Sequence, residues 1–439
     1  MARSSVSGFP ELLPKERLVE TSVLDTLRRT FELHGFSGIE TRAVEPLSAL
    51  EAKGETSKQV YLLQRLQGVR AAAQEGQETK EPAARDLGLH FDLTVPLARY
   101  ILENANDLQF PVRRYQIQKV WRGERPQEGR FREFTQADVD VIGSGHLAFH
   151  HEVEVAQVML AALGALGIPP VLMEVNNRRL LQGLLQAAGI EDFEGTLRAL
   201  DKLDKIGPDG VREELTTVGL TPSQSDSVIE IASIEASQPG ELREKVHALG
   251  LTSPLAQDGL EELCSLLEGA GSAAPGQVKA SLRIARGLDY YTGTVYETAL
   301  LDHPEIGSVC SGGRYDNLAE YYTDKQLPGV GISIGLTRLF YVLGEQGMLN
   351  GDLPTAPADV LILPMTEDLS AAVTLATKLR DAGVRTQLYT EQKKFKAKMN
   401  YADKTGVPYV VFLGEDEVKN NVIACKDMTS GEQTTLDFA

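Results

Sequence analysis

The period of the hydrophobic and polar positions changes several times along the chain, and each change marks a predicted element. Apolar residues recur at helical spacing from Pro14 to His34, and Gly35 is placed to end that helix. The next run, Ile39–Val44, has the composition of a strand. Between Val120 and Gly143, two β-prone runs enclose a loop rich in arginine and glycine, which predicts a long hairpin.

Two further stretches carry polar residues in a defined pattern. From Leu89 to Tyr100, Asp92 and Thr94 alternate with apolar neighbours, which predicts a strand with both polar groups on one face. From residue 177 to 277 the chain is rich in Leu, Ala, Glu and Ser with helical runs, which predicts a mostly helical insertion.

The last part of the chain alternates between strand and helix signals. A linker at 351–357 precedes apolar strands at 360–364, 385–389 and 409–413, with helices between them, and a final hairpin turns near Ser430. This order predicts a small α/β domain with a largely parallel sheet.

Composition places these elements in a multidomain globular protein. The chain has 439 residues, 42% hydrophobic and 24% charged, and its length suggests two to four domains. It has no apolar run near the roughly 20 residues of a membrane span, so a cytoplasmic location is expected. The net charge of −18 argues against unspecific nucleic-acid binding but leaves room for a local site.

The three cysteines provide no framework of their own. Cys264, Cys310 and Cys425 lie far apart in sequence and lack both C-x-x-C spacing and a matching histidine pattern. Neither a disulfide framework nor a zinc site is indicated.

The predicted hairpin holds the densest cluster of candidate chemistry. Guanidinium groups form charge-assisted, often bidentate bonds to phosphate oxygens, and strands hold such groups more rigidly than a free loop does. Glu124 and Glu133 could read a base edge or hold a metal ion. A solvated hairpin whose charges pair with one another is the alternative. The arginines concerned are Arg122, Arg125, Arg130 and Arg132.

The order of residues in this hairpin resembles motif 2 of the class II aminoacyl-tRNA synthetases, in the form found in the histidyl branch. It reads R-G-E-R-P-Q-E-G-R-F-R-E-F-T-Q from Arg122 to Gln136. R-G-L-D-Y-Y-T-G from Arg286 and C-S-G-G-R-Y-D-N-L from Cys310 resemble the two histidine-specific motifs of that family. Gly329–Leu339 resembles motif 3. A dinucleotide-binding loop is the competing interpretation, but the glycines at 329, 331 and 335 do not have its spacing.

The resemblance implies a fold and a domain plan. The expected fold is an α+β class II catalytic domain, an antiparallel sheet flanked by helices, with a helical insertion and a C-terminal α/β anticodon-binding domain. The first helix and strand resemble motif 1, which implies a homodimer. The expected boundaries are 1–176 and 278–350 for the catalytic domain, 177–277 for the insertion that embraces the acceptor stem, 351–357 for the linker and 358–439 for the anticodon-binding domain.

The resemblance also implies a reaction: L-histidine and ATP, with Mg2+, give histidyl-adenylate and pyrophosphate, and the histidine then passes to the 3′ end of tRNA(His). It assigns catalysis to Arg286 and Arg122, and ATP binding to Arg122, Glu124, Arg130, Phe134 and Arg338. It assigns the histidine ammonium to Asp92, Thr94 and Gln136, and the imidazole to Asp140 and Tyr291, with Tyr290 beside them. Arg125 and Gln127 would face the tRNA acceptor end, and no magnesium ligand is assigned.

At two of these positions the chain departs from the common pattern. The family often has Glu where Asp92 and Asp140 stand, so each side chain is one methylene shorter. This implies either a closer backbone or a bridging water at those positions.

Two other functions remain to be compared with this one. The first is a histidine-sensing regulatory paralogue of ATP phosphoribosyltransferase, and the second is an RNA-binding module without catalysis. The regulatory paralogue is expected to lack the C-terminal domain, and both are expected to lose the ATP-binding arginines. Here the domain follows Pro357, and Arg122, Arg286 and Arg338 are all present.

Overall fold

The protein forms two compact units in a computed structural model, which describes residues 6–51, 59–65, 86–126, 129–285, 291–317, 319, 325–345, 347 and 356–437. The larger unit comprises residues 1–10 and 25–350, and the smaller comprises residues 11–24 and 351–439. No helix in these described ranges is long and apolar enough to cross a lipid bilayer.

The elements up to the predicted insertion range from a two-residue strand to a 20-residue helix. They are α1 (Pro14–Leu33), β1 (Ser37–Gly38), β2 (Val44–Pro46), α2 (Leu47–Glu51), β3 (Leu62–Leu63), β4 (Leu87–Leu89), α3 (Thr94–Glu103), β5 (Val112–Trp121), β6 (Glu133–Ile142), α4 (His150–Ala165) and β7 (Val171–Asn177). The predicted first helix and the long hairpin are confirmed.

The insertion and the second half of the large sheet follow. They comprise α5 (Arg178–Ala187), α6 (Phe193–Leu200), α7 (Leu203–Thr217), α8 (Pro222–Ala232), β8 (Glu235–Ala236), α9 (Pro239–Ala248), α10 (Pro254–Ala273), β9 (Val278–Ser281), β10 (Thr294–Leu300), β11 (Cys310–Tyr315), β12 (Gly329–Gly335) and α11 (Leu336–Glu345). The helical character predicted for 177–277 is confirmed. The short strand β8 within it pairs with β9 and joins the large sheet.

A nine-stranded sheet forms the centre of the larger unit. Its strand order is β1-β5-β6-β12-β11-β10-β7-β9-β8. The strands from β5 to β7 pair antiparallel, whereas β1 with β5 and β7 with β9 are parallel. Helix α4 packs against this sheet with its buried face, which includes Val155 and Met159. The predicted α+β fold with a mainly antiparallel sheet is confirmed.

The strand predicted over Ile39–Val44 is wrong in its extent. β1 ends at Gly38 in the large sheet, and β2 begins at Val44 in a separate three-stranded sheet, β2-β4-β3. Residues 39–43 carry the chain from one sheet to the other, and the Ile39 N–H donates to the Tyr115 carbonyl at 3.0 Å.

The strand predicted around Asp92 and Thr94 is also wrong. Thr94 is the first residue of helix α3, and the Asp92 carboxylate accepts a hydrogen bond from the Val95 N–H at 3.0 Å. A side-chain acceptor at this position satisfies a helix N–H that has no partner within the helix. Pro96 is tolerated because it stands in the first turn.

The smaller unit contains β13 (Val360–Pro364), α12 (Ser370–Asp381), β14 (Thr386–Leu388), α13 (Phe395–Thr405), β15 (Tyr409–Leu413), α14 (Glu415–Lys419), β16 (Val422–Asp427) and β17 (Gln433–Asp437). Its sheet has the order β14-β13-β15-β16-β17, parallel from β14 to β15 and antiparallel beyond. Successive residues of β13 face two separate cores, Leu361 in one and Ile362 in the other. The predicted α/β domain is confirmed.

Candidate active site

A cavity of about 510 Å³ opens on the large sheet beside the β5–β6 hairpin. It is lined by Asp92, Thr94, Arg122, Phe134, Gln136, Asp138, Ile284, Tyr291, Val295, Tyr296, Glu297, Ser308, Val309, Cys310, Ser311, Gly312, Ser333, Gly335 and Arg338. Residues from widely separated parts of the chain therefore share one space, as a substrate pocket requires.

Seven of the residues predicted from sequence line this cavity. They are Asp92, Thr94, Arg122, Phe134, Gln136, Tyr291 and Arg338. Glu124, Arg125 and Arg130 lie on the hairpin loop, where Arg125 and Arg130 are exposed, and Asp140 lies deeper in the sheet. Gln127, Arg286 and Tyr290 lie outside the described residues, so their roles stay predictions.

The register of the sheet explains the shape of the cavity floor. Asp138, Ser333, Ser311 and Glu297 lie opposite one another on β6, β12, β11 and β10 and form a polar row. Asp140, Gly331, Gly313 and Val295 form the next row. The two adjacent glycines leave a depression in the sheet, because residues opposite one another on paired strands share a face.

Both glycines of this row have a neighbour that needs the space. A Cβ added to Gly313 would stand 2.5 Å from the ring of Tyr291, and one added to Gly331 would overlap the carboxylate of Asp140. The two side chains assigned to the imidazole in the sequence analysis therefore both occupy positions that only glycine leaves open.

Arg122 is held from two sides at the mouth of the hairpin. Its Nε donates to the Phe91 carbonyl at 2.9 Å, and its guanidinium carbon lies 5.1 Å from the centroid of the Phe134 ring. The stacking and the backbone bond fix the plane of the guanidinium. This arrangement presents a preorganised cation to the cavity, as stabilisation of a developing phosphate charge requires.

Arg338 reaches the cavity from the start of α11. Its Nη2 donates to the Ile306 carbonyl at 2.6 Å. The hydroxyl of the preceding residue, Thr337, accepts a hydrogen bond from the backbone N–H of Thr135 at 2.8 Å, and this bond connects α11 to β6. The predicted strand-to-helix junction of motif 3 thus delivers its arginine to the same cavity as the hairpin.

The two glutamates of the hairpin have different surroundings. Glu133 accepts from the Trp121 indole at 2.8 Å and pairs with Lys119 at 2.5 Å, so it is part of the scaffold. Glu124 is half-buried, and the nearest nitrogen of Arg130 is 3.9 Å away. Neither glutamate is among the residues that line the cavity.

Asp138 is a buried carboxylate that the sequence analysis did not single out. It is 5% exposed, and burial raises its pKa to about 7, with the charges of Asp140 and Asp92 adding to the effect while Arg114 and Ser333 oppose it. The signal was present in the sequence: Gln136, Asp138 and Asp140 alternate along one strand and share a face.

Asp140 is itself paired in the sheet. Its carboxylate lies 2.6 Å from the Arg114 guanidinium and accepts a hydrogen bond from the Tyr315 hydroxyl. Arg114 is 1% exposed, so this pair is almost fully removed from water. Sequence reasoning missed Arg114 because nothing local distinguishes it from its neighbour Arg113.

A second, partly buried network supports the segment that carries Tyr291. Thr292 donates its N–H to the Arg314 carbonyl at 2.7 Å, and its hydroxyl donates to Asp316 at 2.7 Å. Arg314 in turn bonds to Glu152 at 2.8 Å. Burial raises the pKa of Glu152, and Arg314 opposes that shift. The string G-G-R-Y-D therefore positions Tyr291 in addition to shaping the floor.

The comparisons with known proteins extend over the whole chain. The model of the histidyl-tRNA synthetase family matches residues 8–339, and that of the anticodon binding domain matches residues 359–439. The histidine–tRNA ligase of Micrococcus luteus is 50% identical, with 100% of this chain and 95% of that protein covered.

Two solved structures bear on the fold. The crystal structure of histidyl-tRNA synthetase from Nostoc sp. has a TM-score of 0.87 at 36% identity and covers 100% of this chain and 97% of that one. A Bacillus halodurans structure described as an ATP phosphoribosyltransferase regulatory subunit/histidyl-tRNA synthetase has a TM-score of 0.73 at 22% identity, covers 94% of this chain and 99% of that one, and shares the fold. By its motifs, its sheet and its full-length relatives, the chain belongs to the histidyl-tRNA synthetase family.

Proposed function

We propose that this protein activates L-histidine with ATP and transfers the histidine to the 3′ end of tRNA(His). The observation that carries the proposal is the convergence of hairpin, histidine-motif and motif 3 side chains on one cavity, represented by Arg122, Tyr291 and Arg338. In the first step a histidine carboxylate oxygen attacks the α-phosphate and pyrophosphate leaves. In the second, a hydroxyl of the terminal ribose attacks the carbonyl carbon and AMP leaves.

The arginines of the cavity and of the hairpin loop suit the nucleotide. Arg122, fixed by Phe91 and Phe134, would meet the α-phosphate, and Arg338 and Arg130 would hold the outer phosphates. Phe134 offers a ring against which adenine can stack, and Glu124 can accept a hydrogen bond from the adenine amino group. Arg286 would be the additional catalytic cation.

Other lining residues suit the amino acid. Asp92, Thr94 and Gln136 line the cavity and offer acceptors for the α-ammonium. Asp140 and Tyr291 flank the glycine depression, where the imidazole would lie with Tyr290 nearby. Side chains lacking two ring nitrogens would leave these buried partners unpaired, and such mismatches cost several orders of magnitude in specificity.

Magnesium fits this site as a companion of ATP. The described residues contain no group of three or more side chains that could hold a metal ion. Mg2+ ordinarily needs only one or two carboxylates alongside substrate phosphates, and Glu124 is available at the hairpin. When bound, the ion would neutralise charge on the phosphates.

The remaining partners follow from the family. We propose that the smaller unit binds the anticodon of tRNA(His), and that Arg125 and Gln127 meet its acceptor end. We further propose a cytoplasmic homodimer formed through α1 and the segment after it. Sedimentation velocity tests the dimer directly.

The test of the adenylation step is histidine-dependent ATP–pyrophosphate exchange by the purified protein. We expect exchange with histidine alone among the amino acids, and its loss in Arg286→Ala. Exchange by Arg286→Ala at the wild-type rate would remove that residue from the mechanism.

The regulatory paralogue remains the alternative, favoured only by the shared fold. It predicts histidine binding by calorimetry without any exchange. The anticodon binding domain at residues 359–439 and the placement of Arg122 and Arg338 in the cavity favour the ligase.

A further inference from the structure

Three polar side chains on the cavity floor form a continuous chain of hydrogen bonds. The amide nitrogen of Gln136 donates to the Ser333 hydroxyl at 2.8 Å, and Ser333 bonds to the Asp138 carboxylate. Ser333 lies directly opposite Asp138 in the β6–β12 register, so the sheet itself sets this contact.

The hydrogen-bond donors of these three side chains leave two hydrogen-bond acceptors without a partner among the described residues. A hydroxyl has one proton, and because Ser333 donates it to a carboxylate, its oxygen can only accept from Gln136. The Gln136 amide must therefore present its NH2 to Ser333 and its carbonyl oxygen elsewhere. The Gln136 Oε1 and the Asp138 Oδ1 are both buried and have no partner within the described residues.

Buried acceptors without donors are costly, and they mark a place for a ligand that donates. Gln136 and Asp138 point from one face of β6 into the same cavity. Asp92 lies close enough to add to the negative potential at Asp138. Among the described residues, the nearest cationic nitrogen to the Asp138 carboxylate is that of Arg114, at 3.9 Å. A compact positive charge with several N–H donors would satisfy both acceptors.

We infer that Asp138 binds the α-ammonium of the substrate amino acid through its Oδ1, and that Ser333 is a positioning residue that turns the Gln136 carbonyl toward the same ammonium. This inference rests on the proposed function and extends its histidine site by two residues. An ammonium has three donors, and two of them would meet the unused acceptors of Gln136 and Asp138.

The test compares two ligands that differ only in the ammonium group. Histidine is measured by its KM in ATP–pyrophosphate exchange, and imidazole-4-propionate, which lacks the α-amino group, by its inhibition constant. We expect Asp138→Asn to raise the histidine KM at least about tenfold, as loss of a charged hydrogen bond does. The inhibition constant of the propionate and the KM of ATP should change less than about twofold, since neither involves the α-ammonium.

A pair of variants at Ser333 separates positioning from packing. Ser333→Ala should raise the histidine KM with kcat nearly unchanged, and Ser333→Thr, which keeps the hydroxyl, should restore it. This pair tests the inference even when Asp138→Asn folds poorly, which thermal unfolding of each variant reports.

Two outcomes overturn the inference while leaving the ligase intact. One is an unchanged histidine KM in both Asp138→Asn and Ser333→Ala, with wild-type exchange present. The other is an equal loss of affinity for histidine and for imidazole-4-propionate. Failure of the wild-type protein to exchange with histidine would instead refute the proposed function.

Discussion

At the scale of single residues, the site depends on two glycines, which leave space for neighbouring side chains. Gly313 and Gly331 lie side by side on β11 and β12, and their neighbours Tyr291 and Asp140 use the space. An added methyl group would push either side chain out of its position, because the contacts are shorter than carbon atoms tolerate.

The first prediction concerns Gly313→Ala. Its Cβ would stand 2.5 Å from the Tyr291 ring, so we expect the ring to move and the histidine KM to rise. The rise should be about tenfold or more, as loss of one positioned hydrogen bond to a buried ligand gives, with the KM of ATP unchanged. Exchange kinetics check this.

Gly271→Ala is the matched control, since the added Cβ would have no atom within 4 Å. Gly271 lies in helix α10, where alanine is the better helix former by about 1 kcal/mol. A rise in histidine KM in this variant would show that the assay responds to substitution in general.

The second prediction concerns the stability of the unliganded protein and its dependence on pH. The pKa of Asp138 is raised from 3.8 to about 7, so its contribution to stability is fully present below pH 3.8 and is lost as pH rises through about 7. Asn cannot ionise, so Asp138→Asn should gain melting temperature relative to the wild type between pH 5 and pH 8.

Thermal unfolding of both proteins at several pH values checks this prediction. The groups that face Asp138 are Arg114, Asp140, Asp92 and Ser333, and the Asn variant leaves all of them in place. A difference in melting temperature that is the same at pH 5 and pH 8 would contradict the raised pKa.

At the scale of elements, the first turn of α3 combines structure with binding. Asp92 caps the helix through the Val95 N–H at 3.0 Å and also lines the cavity, as does Thr94. Both polar groups were predicted to share one face of a strand; instead, a helix N-terminus directs both toward the cavity. The binding role predicted for them does not depend on the type of element.

The third prediction separates the two roles of Asp92. Asp92→Asn keeps an oxygen for the Val95 N–H and should leave the melting temperature nearly unchanged, whereas Asp92→Ala should lose about 1 kcal/mol of stability with the cap. Both variants lose the charge, so both should raise the histidine KM at least about tenfold. An Asn variant with wild-type KM would confine Asp92 to capping.

At the scale of the whole molecule, charge is distributed unevenly. The chain carries −18 overall, yet α13 and the segment before it in the smaller unit present Lys393, Lys394 and Lys396 to solvent. Lys398 does not belong to this surface, because it is 7% exposed and donates to the Pro364 carbonyl. The buried lysine anchors α13 to β13.

The fourth prediction is that replacing these three exposed lysines by alanine weakens tRNA binding without changing adenylation. Lysines near phosphates contribute a salt-dependent part of the affinity, so the KM for tRNA should rise by about tenfold and its salt dependence should fall. Histidine-dependent exchange should be unchanged. Lys419→Ala, at a site with a 71% exposed side chain on α14, is the control.

Local strings of residues determined the family, the central hairpin, the helical insertion and the alternating C-terminal domain. Each of these follows from periodicity or from residues close together in sequence, such as the arginines of the hairpin or R-G-L-D-Y-Y-T-G. The sequence also identified seven side chains that line the cavity, because they stand in short motifs that resemble those of a known family.

Only the tertiary structure decided which distant side chains meet. The contact of Ser333 with Asp138 and Gln136, the burial of Arg114 beside Asp140 and the space that Gly313 leaves for Tyr291 all depend on strand register across the large sheet. Register is set by the packing of the whole sheet, so no local pattern contains it. The same holds for Lys398, whose burial depends on β13, far away in sequence.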